Sequence, residues 1–406
     1  MKPLYDRYYK LASLFIKYSG LWPDESFQTT YIMFFIFIVS ILSILIPEVV
    51  MLYGSIGTQI TVVLENTLAV IFCIASILKY IIMYNKSSQI KSLFTHMIKD
   101  WKYLRDNTEL DILHKFCNQG RLMVNFYSVV SVIGLVTLMA PSYVSYVLIK
   151  YFSTDTKTYP PLVLVYCDYV FFNQTDYHFS TTTHMAIVQF ENLFLETAIT
   201  STYVISVKHG CGLLRIVGYR LECIGQFEES EGNYSMDNRK EVKENLKAIM
   251  ILHNRILRHT KQIDAAFCEI IAILQLLATI SMAMTYFYSF CIPNTFVKSL
   301  KGAYFMLGLM IYCLYIHLIG QMLVNSSENV FYFSYCNNWY LISPRDRMLL
   351  KLLMRSSIEP IQLTAGKIMT LSMESFGKVM KVTATYVTVL TTCTTKGDKN
   401  MLELSG

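Results

Sequence analysis

Apolar residues recur along the chain in seven runs, each long enough to cross a bilayer as a helix. The hydrocarbon core of a bilayer is about 30 Å thick, so a helix crosses it with roughly 20 residues. The runs cover residues 30–52, 60–84, 122–147, 185–207, 265–291, 302–325 and 369–393. Polar segments separate them. The pattern predicts an all-α membrane protein with seven transmembrane helices.

The fourth run is unusually polar for a membrane span. It contains Gln189, Glu191, Asn192 and Glu196. A charged side chain at the centre of a span costs up to about 3 kcal/mol of insertion free energy. We therefore expect these four side chains to face protein or water rather than lipid.

The last run carries a polar stripe. Lys381, Thr385, Thr388 and Thr392 are spaced so that they share one face of a helix, and Val389 lies beside them. Such a hydroxyl-lined face could border an ion pathway. It could equally belong to an ordinary bundle helix whose threonines form hydrogen bonds with neighbouring helices. The stripe alone leaves both interpretations open.

Composition agrees with a membrane protein and narrows its function. Hydrophobic residues make up 53% of the chain and charged residues 16%, whereas about a quarter of the residues of a soluble protein are charged. The net charge of +6 forms no basic patch with interleaved aromatic residues, so we expect no nucleic-acid partner. The cysteines and histidines show no CxxC, HExxH or Cys/His spacing, and no acid, base and nucleophile cluster. We expect no disulfide framework, no metal, no cofactor and no enzymatic activity.

Basic residues predict the orientation in the membrane. Segments 1–29, 85–121, 208–264 and 326–368 together hold 26 Lys and Arg residues, whereas the segments on the other side hold 6. By the positive-inside rule, the N-terminus lies in the cytosol and the C-terminus outside. Segment 208–264 also has helical periodicity, which predicts that the neighbouring spans extend into the cytosol.

Two glycosylation sequons fall on opposite sides of this topology. Asn173 begins Asn-Gln-Thr in a segment predicted to lie outside, where a glycan can be attached. Asn233 begins Asn-Tyr-Ser in a segment predicted to lie inside. We expect a glycan on Asn173 only.

The C-terminal quarter of the chain contains a series of short motifs in a fixed order. They are Gly320-Gln321, Ser327-Glu328, Trp339-Tyr340, Met354-Arg355-Ser356, Leu363-Thr364-Ala365-Gly366-Lys367, and Leu371-Ser372-Met373-Glu374-Ser375-Phe376 leading into Lys381 and Thr385-Tyr386. In this order they resemble insect odorant receptors, a seven-helix family with an intracellular N-terminus. Upstream of Gly320, the resemblance rests on length, span count and loop charge.

This resemblance implies one subunit of a tetrameric, odorant-gated, non-selective cation channel. Residues 30–325 would form the six-helix ligand-binding region, 326–368 a cytosolic anchor region, and 369–393 the pore helix. Thr385, Thr388, Val389 and Thr392 would line the pore, with Val389 as the apolar gate. The 208–264 segment is shorter than that of the odorant receptor co-receptor, so the chain resembles a tuning subunit that assembles with co-receptor subunits. It would function in the plasma membrane of olfactory neuron dendrites.

The family binds small volatile, apolar ligands in the outer half of the bundle, between spans 2, 3, 4 and 6. The corresponding residues of this chain form the expected ligand site: Asn66, Leu138, Met139, Tyr143, Val188, Phe190, Tyr304, Phe305 and Tyr312. Glu65, beside Asn66, is either a ligand contact or a partner of a neighbouring helix. Buried apolar area would supply most of the affinity, at about 25 cal/mol per Å².

Three other classes of membrane protein compare less well with the sequence. A gustatory receptor would close its last helix with Gln-Phe, where this chain has Thr392-Cys393. A G-protein-coupled receptor would have the opposite orientation and an Asp-Arg-Tyr motif. A transporter would show an internal repeat. Residues 394–406 extend beyond the usual end of the family and are predicted to form an extracellular tail or an added segment.

Overall fold

The structure, a computed structural model, describes residues 7–22, 26–57, 60–104, 106–152, 162–172, 174–224, 236–291 and 296–404. Within these ranges the chain is almost entirely helical. The helices are α1 (Lys10–Tyr18), α2 (Phe27–Ser55), α3 (Ile60–Asn85), α4 (Ser87–Tyr103), α5 (Asn107–Phe152), α6 (His178–Glu222), α7 (Met236–Tyr286), α8 (Phe296–Tyr335), α9 (Pro344–Ser357) and α10 (Met373–Leu404). A π-helical turn, Phe287–Cys291, follows α7.

Five of the described helices are long and apolar enough to cross a membrane: α2, α3, α5, α7 and α8. The other two predicted spans, α6 and α10, are also long helices but more polar. The helices of this all-α membrane-spanning fold run beyond the apolar runs of the sequence. Within 208–264, α6 continues to Glu222 and α7 begins at Met236, so both helices extend beyond the predicted spans.

Helix α6 lies at the centre of the bundle, and this position explains its polarity. Every residue from Thr197 to Leu214 is buried, and the helix packs against α5, α7, α8 and α1. Its polar residues therefore meet protein rather than lipid. Glu196 forms an ion pair with Lys79 of α3 at 3.0 Å, and Asn192 donates to the Val188 carbonyl oxygen at 3.1 Å.

The helices α1, α4 and α9 pack at one end of the bundle, which we call the α4 end. Tyr9 and Ile16 of the N-terminal region are fully buried there, so the described residues 7–22 of the predicted N-terminal segment pack into the core. The opposite end contains a cavity, described below, and we call it the cavity end. Residues 162–172, which lie in the connection between α5 and α6, close this end.

The beginning and end of the last predicted span differ from expectation. Residues 364–365 and 369–370 form a two-stranded antiparallel hairpin, in which Thr364 pairs with Thr370 and Ala365 with Met369. Helix α10 begins only at Met373. Gly366 and Lys367 both have positive φ, which lets the turn reverse within three residues. The helix then continues to Leu404, so the predicted tail 394–406 is helical over most of its length.

Candidate functional site

A cavity lies between the helices near the cavity end. Its volume is about 150 Å³. Helices α2, α3, α5, α6, α7 and α8 contribute to its walls, together with the 162–172 segment and the π-turn. Most of the wall is apolar, and the apolar residues are Leu68, Ala69, Phe72, Leu138, Leu164, Val165 and Phe305. A mostly apolar pocket with a few polar groups suits a small organic ligand.

One polar group on the wall is an ion pair between two distant helices. The Lys301 ammonium at the start of α8 contacts both the Glu65 carboxylate of α3 and the Leu164 carbonyl oxygen. The Tyr288 hydroxyl donates to the other Glu65 oxygen at 3.3 Å. Glu65 is therefore satisfied by two partners, and the pair ties α3, α8 and the 162–172 segment together.

A second carboxylate, Glu48 of α2, also lines the cavity. Glu48 is 3% exposed. The Cys73 thiol donates a hydrogen bond to the Glu48 carboxylate, with Sγ 3.4 Å from Oε2. Pro47, one position earlier, lies inside α2. Its carbonyl oxygen accepts from the Asp168 amide at 3.1 Å, so this turn of α2 also contacts the 162–172 segment.

Side chains from the bundle hold the 162–172 segment over the cavity. Asn66 donates to the Tyr166 carbonyl oxygen at 3.0 Å. Gln174 accepts from the Cys167 amide and donates to the Val165 carbonyl oxygen, each at 3.0 Å. These bonds satisfy backbone groups of an irregular segment that packs against apolar helices. The segment forms one wall of the cavity through Leu164 and Val165.

The structure places only part of the predicted ligand site on this wall. Leu138 and Phe305 line the cavity. Met139 and Val188 are buried in the helical core next to it, and Asn66 is the side chain that holds Tyr166. These three residues support the walls of the cavity but do not line it.

The four remaining predicted ligand residues are aromatic and do not line the cavity. Tyr143 donates to the Thr183 hydroxyl at 3.2 Å, and Tyr304 donates to the Gly134 carbonyl oxygen at 3.1 Å. Phe190 is exposed on the outside of the bundle. Tyr312 packs against the core.

Several wall residues are absent from the predicted site, for two different reasons. Leu164 and Val165 lie in a connecting segment, and no periodic pattern shows that it folds back over the bundle. Glu48, Gln189 and Lys301 lie on or beside predicted spans. Their polarity within or near an apolar stretch is the only sequence signal that could have indicated a place in the site. Glu65, for which the sequence left a ligand contact and a helix partner open, does line the cavity.

The predicted pore residues lie on an uncovered face of α10. Thr385, Thr388, Val389 and Thr392 are all exposed in this single subunit, and Val389 is 53% exposed. The opposite face packs on the bundle through other residues, such as the buried Ser375 and Val379. The threonine hydroxyls donate to carbonyl oxygens of their own helix, one turn earlier: Thr385 to Lys381 and Thr392 to Thr388.

The hairpin between α9 and α10 connects α10 to the bundle. The Thr364 amide and hydroxyl both donate to Asp264 of α7, at 2.7 Å and 2.9 Å. Gln321 of α8 accepts from the Met373 amide at 3.0 Å, which satisfies one free amide at the start of α10. We call residues 361–373 the anchor segment.

Gly320 explains the close approach of the anchor segment to α8. A Cβ atom at this position would lie 2.3 Å from the Leu371 carbonyl oxygen. Ser327, two turns later on α8, accepts from the Ile361 amide at 2.9 Å. Several residues of the C-terminal motifs therefore join the anchor segment to α7 and α8, namely Gly320, Gln321, Ser327 and Thr364.

Two further predictions concern a metal site and a glycosylation site. No group of three His, Cys, Asp or Glu side chains within the described ranges could hold a metal ion. Asn173, the predicted glycosylation site, lies outside the described residues.

Comparison with known proteins gives a family match and a fold match. The family model described as 7tm Odorant receptor matches residues 59–384. The structure of the insect olfactory receptor OR5 from Machilis hrabei in complex with eugenol superposes with a TM-score of 0.74 at 13% identity, over 94% of this chain and 96% of that chain. A second structure of that receptor gives a TM-score of 0.72 at 14% identity, over 95% and 97%. No curated protein sequence matches the chain.

Proposed function

Since this chain belongs to the 7tm odorant receptor family, we propose that it is a subunit of an odorant-gated, non-selective cation channel. A small volatile ligand binds in the cavity between α2, α3, α5, α6, α7 and α8. Binding opens a pore that α10 lines together with the corresponding helices of other subunits. The subunit works in the plasma membrane of olfactory neuron dendrites.

The cavity is the main observation that supports ligand binding. It is mostly apolar and lies between helices that also form the core of the bundle. A ligand that contacts several of these helices at once can favour one packing arrangement over another, and that difference in contact energy is what shifts a conformational equilibrium. The complex of the similarly folded receptor OR5 with eugenol agrees with a small organic ligand.

The uncovered face of α10 supports the channel part of the proposal. This face of α10 exposes several polar side chains in the single subunit, and polar side chains within membrane spans usually face protein or water. In a ring of four subunits, the same face would surround a water-filled axis. Val389 is the apolar member of this face and would close the pore by excluding water.

The anchor segment supplies the physical connection between the two parts. Helices α7 and α8 line the cavity through Thr285, Lys301 and Phe305. The same two helices bind the anchor segment through Asp264 and Gln321, and α10 begins directly after it. A shift of α7 or α8 on ligand binding is therefore passed to the first turn of α10.

We infer that the other subunits are odorant receptor co-receptor subunits, because the chain resembles a tuning subunit. The test is to express it with the co-receptor and to record currents while an odorant panel is applied. Omitting either chain provides the negative controls. Odorant-evoked cation current that needs both chains is expected, and equal responses from the co-receptor alone would contradict the proposal.

Substitutions in α10 test the pore directly. Val389→Ser places a hydroxyl at the apolar constriction, so resting current should rise. Thr392→Lys adds a positive charge beside the pathway and should shift the reversal potential or block the current. Leu390→Ser, on a half-buried position of the same turn, is the matched control. If both pore-face variants match the wild type in basal current and ion selectivity at equal surface expression, α10 does not line the pore.

A further inference from the structure

Glu48 is a buried carboxylate on the cavity wall without a cationic partner in the described part of the chain. Its residue is 3% exposed, and the Cys73 thiol is its hydrogen-bond donor at 3.4 Å. A thiol is a weak donor. Glu65, the other carboxylate on the wall, is paired with Lys301 and Tyr288. The two acidic side chains therefore differ sharply in how well they are compensated.

The carboxyl and ammonium groups on the wall do not balance in charge. They comprise the carboxyl groups of Glu48 and Glu65 and the ammonium of Lys301. Burying an ionised carboxylate without a partner is costly, and a cation placed beside it removes most of that cost. A bound ligand with one positive charge would supply the partner that the described protein residues do not provide.

A second polar atom on the wall also has no partner. The Thr285 hydroxyl is buried, lines the cavity and makes no hydrogen bond to the described residues. Buried hydroxyl groups in proteins are nearly always paired. Its isolation is independent of Glu48, because Thr285 lies on α7 and Glu48 on α2. Both point to a ligand that brings a polar group into an otherwise apolar cavity.

The apolar part of the wall fits the body of the same ligand. Leu68, Leu138 and Phe305 offer aliphatic and aromatic surface. Phe72 is one residue from Cys73, the hydrogen-bond partner of Glu48, and it also lines the cavity. Aromatic rings attract an ammonium group when it lies over the ring face. The wall thus combines a carboxylate, aromatic side chains and apolar surface.

We propose that this receptor recognises small volatile monoamines, whose ammonium group binds Glu48 while the hydrocarbon body fills the apolar cavity. This inference rests on the proposed function, since it names the ligand class of the same cavity. An acidic ligand is disfavoured because Lys301 already contacts a carboxylate and a carbonyl oxygen. A neutral alcohol can donate a hydrogen bond to Glu48, but it leaves the buried negative charge without a counter-charge, which only an ammonium supplies.

The test compares ligands of matched shape that differ in one group. Hexylamine, hexanol and hexanoic acid form one series, and phenethylamine, phenethyl alcohol and phenylacetic acid form another. Dose–response curves are recorded from cells that express this chain with the co-receptor. In at least one series, the amine should be at least about tenfold more potent than the alcohol and the acid, as expected for about 1.4 kcal/mol of additional binding free energy. Equal potency, or greater potency of the acid or alcohol in both series, overturns the proposal.

Variants separate the role of Glu48 from a general loss of folding. Glu48→Gln keeps the shape but removes the charge, and should abolish the preference for the amine over the alcohol. Glu48→Asp keeps the charge and should retain the preference. Glu191→Gln removes a carboxyl from the neighbouring helix α6, outside the cavity wall, and is the matched control that should leave the preference unchanged. An amine preference that survives Glu48→Gln at normal surface expression overturns the proposal.

A binding measurement distinguishes this inference from the proposed function. The purified full-length protein is heated with and without each amine, and its melting temperature is recorded. Stabilisation by amines, lost in Glu48→Gln, supports amine recognition even if no current is evoked, in which case the channel function fails. Currents evoked by alcohols or acids without amine stabilisation or amine-evoked current leave the channel function intact and overturn amine recognition. Absence of both amine stabilisation and amine-evoked current also overturns it.

Discussion

Asp100 is the centre of a buried charged cluster at the α4 end, far from the cavity. The side chain accepts a hydrogen bond from His209 Nε2 at 3.1 Å and forms an ion pair with Arg255. The other ring nitrogen of His209 lies 3.1 Å from the Tyr9 hydroxyl, which itself accepts from Trp101 Nε1 at 2.8 Å. The cluster joins the N-terminal region, α4, α6 and α7.

The pKa values of the two buried histidines diverge. Burial alone would lower the pKa of His209, but its hydrogen bond to Asp100 and the neighbouring Cys117 raise the pKa to about 9. For His259, burial and the nearby charge of His209 lower the pKa to about 4. At neutral pH, His209 is therefore the charged partner of Asp100. His259 is neutral and contacts the Ser206 carbonyl oxygen at 3.0 Å.

Removing the carboxylate at this centre should destabilise the protein strongly. Asp100→Asn leaves the buried His209 and the partly buried Arg255 without their counter-charge, a loss of about 3–5 kcal/mol for a buried pair. Glu244→Gln, which breaks the exposed Lys247–Glu244 pair, is the control and should leave stability nearly unchanged. Melting temperature of the purified protein is the measurement, and equal values for Asp100→Asn and the control would contradict the assignment.

The same cluster predicts a dependence on pH. The pKa of His209 in the folded protein lies above that of an ordinary histidine, so its stabilising contribution is fully present below about pH 6.5 and is lost as the pH rises through about 9. The difference in melting temperature between wild type and His209→Gln should therefore shrink over that interval. A difference that grows with pH would exclude a charged His209.

Individual polar residues can be recognised in the sequence, but not their partners. Glu65 and Asn66 stand out because a carboxylate and an amide inside a span are costly without a partner. The structure supplies those partners from distant positions: Lys301 for Glu65, and the Tyr166 carbonyl oxygen for Asn66. Neither contact leaves a periodic pattern. The type of residue predicts that a partner exists, whereas the identity of the partner requires the fold.

At the scale of elements, the anchor segment is the narrowest connection between the bundle and α10. It is held by backbone and side-chain bonds from α7 and α8, and it contains the two-stranded hairpin. Strands of two residues have no detectable alternation, so the hairpin cannot be predicted from periodicity. The motif residues around it can be recognised from sequence order alone, and the structure supplies their physical roles.

Gly320→Ala should uncouple α10 from the bundle. The new methyl group would lie 2.3 Å from the Leu371 carbonyl oxygen, so the anchor segment must move away from α8. Odorant-evoked current should fall at least about tenfold, equivalent to about 1.4 kcal/mol in the gating equilibrium, while stabilisation of the protein by a bound ligand is largely retained. Gly308→Ala is the control on the same helix, because no heavy atom lies within 4 Å of its Cβ position. Parallel loss of current and of ligand stabilisation would instead indicate general unfolding.

The lengths of the elements show which physical signals the sequence carries. Hydropathy identifies the parts of a helix that are suited to lipid. Helices α5, α6, α7 and α8 therefore each extend past at least one limit of the corresponding apolar run. Helical hydrogen bonding does not end there, so the helices are longer than the runs. The sequence predicts that α10 starts at residue 369 because apolar and polar residues continue without interruption, whereas Gly366 and Lys367 turn the backbone before Met373.

At the scale of the whole molecule, the two ends of the bundle differ in charge and in construction. The α4 end contains most of the basic residues and a buried charged cluster. The cavity end contains the cavity and the connecting segment above it. The count of basic residues in the loops detects this difference in charge between the two ends. The difference can be predicted from the sequence because it depends on loop composition rather than on contacts.

We predict that the α4 end faces the cytosol. Tyr9 and Ile16 are buried at this end, so an epitope tag on the N-terminus reports the side of the membrane on which the whole end lies. In intact cells an N-terminal tag should be hidden from antibody, and a tag after the C-terminus should be accessible. Both tags should be accessible after permeabilisation, which controls for expression.

Glycosylation tests the same orientation independently of any tag. In the sequence, Asn173 follows Phe172 and Asn233 falls between α6 and α7; both lie outside the described residues. Only a sequon on the lumenal side receives a glycan. Asn173→Gln should remove the mobility shift that glycosidase produces, and Asn233→Gln should leave it unchanged. A shift lost only in Asn233→Gln, together with an accessible N-terminal tag, would mean that the bundle is inserted the other way round and that the cavity opens toward the cytosol.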